Sequence, residues 1–125
     1  MNSKFAKWWF RIAGIYGILV LVPQFFLLSK FGMDNPPSIT HPEFYYGFNG
    51  VALAFQVVFL IISTNPEKYR VMMIPSMIEK ALFVLAVAGL FLTEGMNSSI
   101  LAGASLDFIL LIGFIIAFIK TESRN

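Results

Sequence analysis

Glu79 and Lys80 stand side by side inside a run from Arg70 to Leu92 that is otherwise almost wholly apolar. Asp107 interrupts a second such run, and Gln56 a third. A carboxyl group can accept or hand on a proton, and a neighbouring ammonium can stabilise developing negative charge. The set could therefore do acid–base chemistry on a lipid, relay protons, or hold the polar end of a ligand. Each charge would cost at least about 2.5–3.5 kcal/mol if it faced lipid. These side chains must turn toward other helices, a wet cavity or one another's partners.

The runs that carry them are long enough to cross a bilayer, since about 20 residues suffice at ~1.5 Å per residue. The expected fold is all-α, one integral membrane domain over residues 1–125, with four transmembrane helices at about 9–28, 44–62, 71–92 and 99–119. The chain is 58% hydrophobic and only 13% charged, against roughly 45–50% and 25% in soluble domains. A signal peptide is the natural rival at the N-terminus, but the apolar run from Ile12 continues through Leu28 with no Ala-x-Ala-like cleavage site. Trp8 and Trp9 suit a headgroup belt. Pro23 should bend the first helix, and the stretch 29–43, with its prolines and Gly32, cannot be one continuous helix. Asn97 and Ser98 suit the cap of the last helix, and Glu43 suits the positive end of the second.

Basic residues set the orientation. Of nine Lys and Arg, Lys4, Lys7, Arg11, Lys68, Arg70, Lys120 and Arg124 fall on the side of the two termini and the 63–70 turn, and Lys30 alone on the other. Both termini are expected in the cytoplasm. The basic balance serves topology and anionic lipid contact, and no nucleic acid partner is expected. With no cysteine and with His41 as the lone histidine, thiolate chemistry, iron–sulfur clusters and Cys- or His-rich metal sites drop out, and no cofactor is expected.

Placed by helix midpoints, Lys80 and Asp107 come out at similar depth, as do Glu79 and Gln56. A Lys80–Asp107 pair, with Glu79 either hydrogen-bonded to Gln56 or protonated, would offset most of the burial cost. Such a cluster can glue a bundle, or it can line a pocket or proton relay. Helical spacing supports an inward polar seam: Tyr45, Asn49, Ala52, Gln56 and Ser63 share one face of the second helix, Gly14, Gly17, Leu21 and Gln24 one face of the first, and Gly103, Asp107, Leu110, Phe114 and Ala117 one face of the fourth. Gly113 and Ala117 would let backbones approach closely. Pro75, one turn before Glu79, would free the Val71 carbonyl for Ser76 or a water, and either kinks the helix or widens the cavity there. Met72, Met73 and Met77 nearby are adaptable fillers of core or pocket. His41, at the mouth of the second helix, could act as a pH-sensitive group or proton donor to a ligand, or simply as an interfacial or capping residue. The candidate ligand contacts are thus Tyr45, Asn49, Gln56, Ser76, Glu79, Lys80, Asp107 and His41, and the candidate acid–base groups are Glu79, Asp107 and Lys80.

With His-Pro-Glu-Phe-Tyr-Tyr-Gly-Phe at the second helix, Pro-Ser-Met-Ile-Glu-Lys at the third and Ala-Ser-Leu-Asp-Phe at the fourth, residues 38–120 resemble small bacterial four-helix membrane proteins of the DoxX-like group. That resemblance implies a bacterial inner membrane location and no particular activity. A fainter similarity is to the sterol isomerase-like membrane fold, whose intramembrane His and Glu do acid–base work on a lipid; only Glu79 occupies a comparable place. The leading expectation is a membrane protein that binds a small apolar or lipid-like ligand, or a partner helix, in its polar-lined bundle. Because four helices leave little internal volume, it is expected to do so as a homo-oligomer. The alternatives are a lipid-modifying enzyme working through Glu79 or Asp107 and, last, a proton-coupled exporter resembling small multidrug transporters, which use an acidic residue in a first helix that here has none.

Overall fold

The computed structural model describes residues 3–95 and 98–122. Within them every regular element is helical: α1 (Lys4–Gln24), α2 (Leu28–Asp34), α3 (Pro42–Thr64), α4 (Met73–Glu94, entered through a 3-10 turn at Arg70–Met72) and α5 (Ser98–Lys120). α1, α3, α4 with its lead-in turn, and α5 are each long and apolar enough to cross a membrane, which is the build of a multi-pass membrane protein. Their outer faces agree: Leu19, Phe26, Leu82, Leu85, Leu92 and Ile119 are all exposed large hydrophobics. That much contiguous apolar surface needs a nonpolar environment around it.

Three boundaries differ from expectation. α1 starts at Lys4, five residues before the expected position 9, because Ala6 and Phe10 belong to the core and draw the basic leader into the helix. It stops at Gln24, with Pro23 inside its last turn. The connection 29–43 holds the short helix α2, whose buried Gly32 lies against Ser38. Pro75 falls in the first turn of α4, where a missing N–H costs little. Ser76 Oγ donates to the Met72 carbonyl at 2.8 Å, one position from the Val71 oxygen expected for it. The expected cap at Asn97 and the basic residue Arg124 lie outside the described residues.

α1 packs most extensively on α3, and α4 on α5; α1 also packs on α5, while α3 and α4 touch each other little. Two helix pairs thus meet along one firm seam and one thin one. At the end that carries the termini the pairs are locked by aromatics. Phe10 of α1 stacks on Phe114 of α5 at 4.2 Å between centroids, and the edge of Phe59 of α3 meets Phe114 at 4.9 Å. Around them Ala6, Ala13, Ile62, Met73 and Ala117 complete a buried core. Arg70 closes this end from below α5: its Nε donates to the Phe118 carbonyl at 3.1 Å, taking up an oxygen that the last helical turn leaves free, and its guanidinium lies over the Phe118 ring.

Trp8 and Trp9 part company. Trp8 is exposed with Lys7 and Arg11 near its ring, as a headgroup residue would be. Trp9 turns inward instead, stacks on Phe5 and donates its indole N–H to the Leu110 carbonyl at 3.0 Å. Its ring occupies the space over Gly113, where any β-carbon would collide with it.

Gly113→Ala should therefore force the indole off its seat and lower stability by about 1–3 kcal/mol, the usual cost of overpacking. Gly47→Ala, which meets nothing nearby, should show no loss. Thermal unfolding of the purified protein in one detergent compares the two.

Candidate functional site

Beyond the aromatic lock the bundle loosens. Past Lys80 only Val87 of α4 stays buried, and Ala104 is the last buried residue of α5 in that direction. In the space between lies a chamber of about 150 Å³, lined by residues of α1, α3, α4 and α5 that include Tyr16, Gln56, Glu79, Lys80, Phe83 and Asp107.

Each polar wall residue is set there by the seam its helix presents. α3 buries Asn49, Ala52, Gln56, Phe59 and Ser63, so Gln56 faces inward at the level where Gly17 of α1 leaves room for it. A β-carbon on Gly17 would sit on the Gln56 amide. α4 buries Met73, Ser76, Lys80 and Val87 along one stripe, which carries Lys80 to the interior and leaves Glu79 beside it, half-buried at the chamber wall.

The expected pair forms: Lys80 Nζ is 3.2 Å from Asp107 Oδ1, and the two side chains are only 6% and 19% exposed. The ammonium also lies 5.5 Å from the centre of the Phe59 ring, whose π face offers a second, weaker counter-charge. The pair thus joins α4 to α5 and touches the core through α3.

Gln56 does not bond to Glu79. Its Nε2 donates to the Ala52 carbonyl one turn back at 2.7 Å. A carbonyl can only accept, so this bond fixes which end of the amide is nitrogen and leaves Gln56 Oε1 as the free atom. That oxygen is buried without a partner, and so is Glu79 Oε1. Two acceptors on the chamber walls are thus unmatched, while Asp107 takes one of the three N–H donors of Lys80.

The remaining candidates divide. Tyr45 and Asn49 lie two to three turns before Gln56 on α3 and line a second, outer cavity of about 600 Å³, half open, that α2 and the ends of α1, α4 and α5 help to form. The Tyr45 hydroxyl donates to the Gln24 carbonyl at 2.9 Å and pins α3 to the end of α1. Ser76 is fully buried on the core side, its hydroxyl used by its own helix, and it reaches neither cavity. His41 lies outside both as well, with its side chain 68% exposed and Nδ1 3.4 Å from Glu43 Oε2. Met73 and Met77 belong to the core and its margin.

Sequence reasoning missed Tyr16, Phe48 and Phe83. Tyr16 adjoins Gly17 and lies one turn before Val20, so the face that carries the glycine seam could have revealed it. Phe48 and Phe83 had no such signal among the chain's 14 phenylalanines. Both pockets are half-open clefts formed where the two helix pairs diverge after the aromatic lock. No group of three or more His, Cys, Asp or Glu able to hold a metal occurs among the described residues.

Comparison with protein-family models, with curated proteins and with solved structures finds no match for this chain. What the site can do therefore has to be argued from its geometry.

Removing one partner of a buried ion pair strands the other, at a cost of about 3–5 kcal/mol, while replacing both by apolar groups is often neutral. Lys80→Met alone should lower stability by that order, and Lys80→Met with Asp107→Leu should recover most of it. Unfolding of the wild type, both single variants and the double variant in a common detergent gives the coupling directly.

Proposed function

We propose that this chain binds a small lipid-like ligand within its bundle, the polar end of the ligand lying among Gln56, Glu79, Lys80 and Asp107. The observation that carries this reading is the pair of unmatched acceptors, Gln56 Oε1 and Glu79 Oε1, on the wall of a cavity set among four apolar helices. A buried polar atom without a partner costs about 1–3 kcal/mol, so such a cavity favours an occupant that supplies the missing hydrogen bonds. Bundle glue accounts for Lys80–Asp107 but gives Glu79 nothing to hold.

One observation favours a second reading, a lipid-modifying enzyme: the Glu79 carboxyl and the Lys80 ammonium line the same chamber, a pairing of groups that an acid–base step would use. In that case Glu79→Gln abolishes turnover of the lipid and leaves it bound.

We further infer a bacterial inner membrane setting with both termini in the cytoplasm. Lys4, Lys7, Arg11, Lys68, Arg70 and Lys120 gather at the end where the helix termini and the 65–69 turn meet, and Lys30 stands at the other. This is the bias that keeps a loop inside.

Extraction of the purified wild-type protein, followed by mass spectrometry, should yield one co-purifying amphiphile at near-stoichiometric amount. The Lys80→Met, Asp107→Leu double variant should remain folded and lose it; absence of any retained molecule across several detergents sinks the reading. The chain has no cysteine, which makes orientation simple to check. A membrane-impermeant thiol reagent added to intact cells should modify Ser38→Cys and spare Lys68→Cys.

A further inference from the structure

The chamber and the outer cavity share two wall residues, Phe48 of α3 and Phe83 of α4. Their rings stack at 5.9 Å between centroids, across the seam where α3 and α4 otherwise touch little. Phe48, half exposed on the outer face of the bundle, and Phe83 are thus the side chains at which the two spaces adjoin. The inner space is small and carries Gln56, Glu79, Lys80 and Asp107 on an otherwise largely apolar lining. At about 150 Å³ it matches a cavity known to admit a benzene-sized molecule, which is enough for a head group of a few heavy atoms. The outer space, about 600 Å³, is within the range of pockets that hold a whole drug-sized ligand. Beyond the aromatic pair it offers Ala86, Val87, Leu90 and Ile100 as apolar wall, with Lys30, Asp34 and Asn35 among its polar lining from α2 and the residue after it.

The unmatched groups of the inner space lean toward acceptors, with the Tyr16 hydroxyl and the Lys80 ammonium among its donors. Both of its unmatched buried side-chain atoms, Gln56 Oε1 and Glu79 Oε1, accept hydrogen bonds. Its ionisable groups include two carboxyls, Glu79 and Asp107, against one ammonium, Lys80, and that ammonium is already bonded to Asp107. An anionic head would add a third acidic group where the field is poorly screened and would offer the free acceptors no donor. A head that donates meets both needs.

Resting on the ligand-binding reading above, we propose that the two cavities are one site for a slender amphiphile, its head a small hydrogen-bond donor, amine or hydroxyl, in the Gln56–Glu79 chamber, and its apolar body passing between Phe48 and Phe83 into the outer cavity. The head is recognised by donation to Gln56 and Glu79, with Asp107 held in reserve by Lys80.

The test uses the full chain in lipid nanodiscs and three photoreactive dodecyl probes that differ only in the head: a primary amine, an alcohol and a carboxylic acid. The amine and the alcohol should label outer-cavity residues saturably, in competition with their unlabelled forms, and the acid at least about tenfold more weakly. Glu79→Gln, nearly isosteric, should reduce amine labelling about tenfold relative to alcohol, since it removes the charge and keeps an acceptor. Phe83→Trp, which fills the junction, should reduce labelling by both. Equal or stronger labelling by the acid overturns the head-group assignment while the ligand site itself stands. Amine labelling unchanged in both variants shows the head outside the chamber and overturns the joining of the two cavities. If none of the probes labels saturably, the underlying ligand-binding reading falls as well.

Discussion

The rest of the molecule is arranged around an ion pair in surroundings that cannot solvate it. Lys80 and Asp107 lie near the middle of two helices whose other faces are Leu, Ile, Val and Phe, and neither could remain charged there alone. Their contact fixes how α4 and α5 must lie: antiparallel, with these two positions opposed and each helix turned so that its one charged seam points inward. Once that register is set, the next inward positions follow by helical geometry. Met73 and Ser76 on α4, and Phe114 and Ala117 on α5, go to one end, and Val87 and Ala104 to the other.

The end with the termini is where the structure is held. Phe10, Phe59 and Phe114 mesh there, Trp9 fills the notch over Gly113, and Arg70 secures the last turn of α5. In a bilayer the hydrophobic effect does not drive helices together, so close packing of rings against small residues and hydrogen bonds to free carbonyls must do it. The opposite end lacks such a lock. Gly47, Gly50, Gly89 and Gly103 face open space instead of a neighbouring helix, and the helix pairs part around the two cavities. A bundle bound tightly at one end and loosely at the other keeps room for an occupant without giving up its fold.

Much of the site was legible because polarity inside an apolar span is rare and helical spacing is rigid. The Lys80–Asp107 pairing could be read from depth, and the inward face of α3 from the recurrence of Asn49, Ala52, Gln56 and Ser63. The readings that failed depended on local hydrogen-bond choices. Gln56 spends its amide nitrogen on its own helix's carbonyl, so it leaves Glu79 unpaired and turns only its oxygen to the chamber, while Ser76 spends its hydroxyl the same way and reaches neither cavity. Pro75 looked like a break because the start of α4 was set too early by hydropathy, which does not register the 3-10 turn at Arg70–Met72. His41 looked close to the site because it precedes α3, but the chain there runs across the surface.

The sequence by itself determined the helical class, the number of spans, the asymmetry of basic charge and the identity of the buried polar groups, since each follows from the cost of placing charge or bare backbone in hydrocarbon. Only the tertiary structure decided that Phe48 and Phe83 stand between two cavities, that Trp9 packs inward while Trp8 does not, and which oxygens are left without donors. These depend on which of many similar apolar side chains meet across helices distant in sequence, and no periodicity within a single helix encodes that meeting.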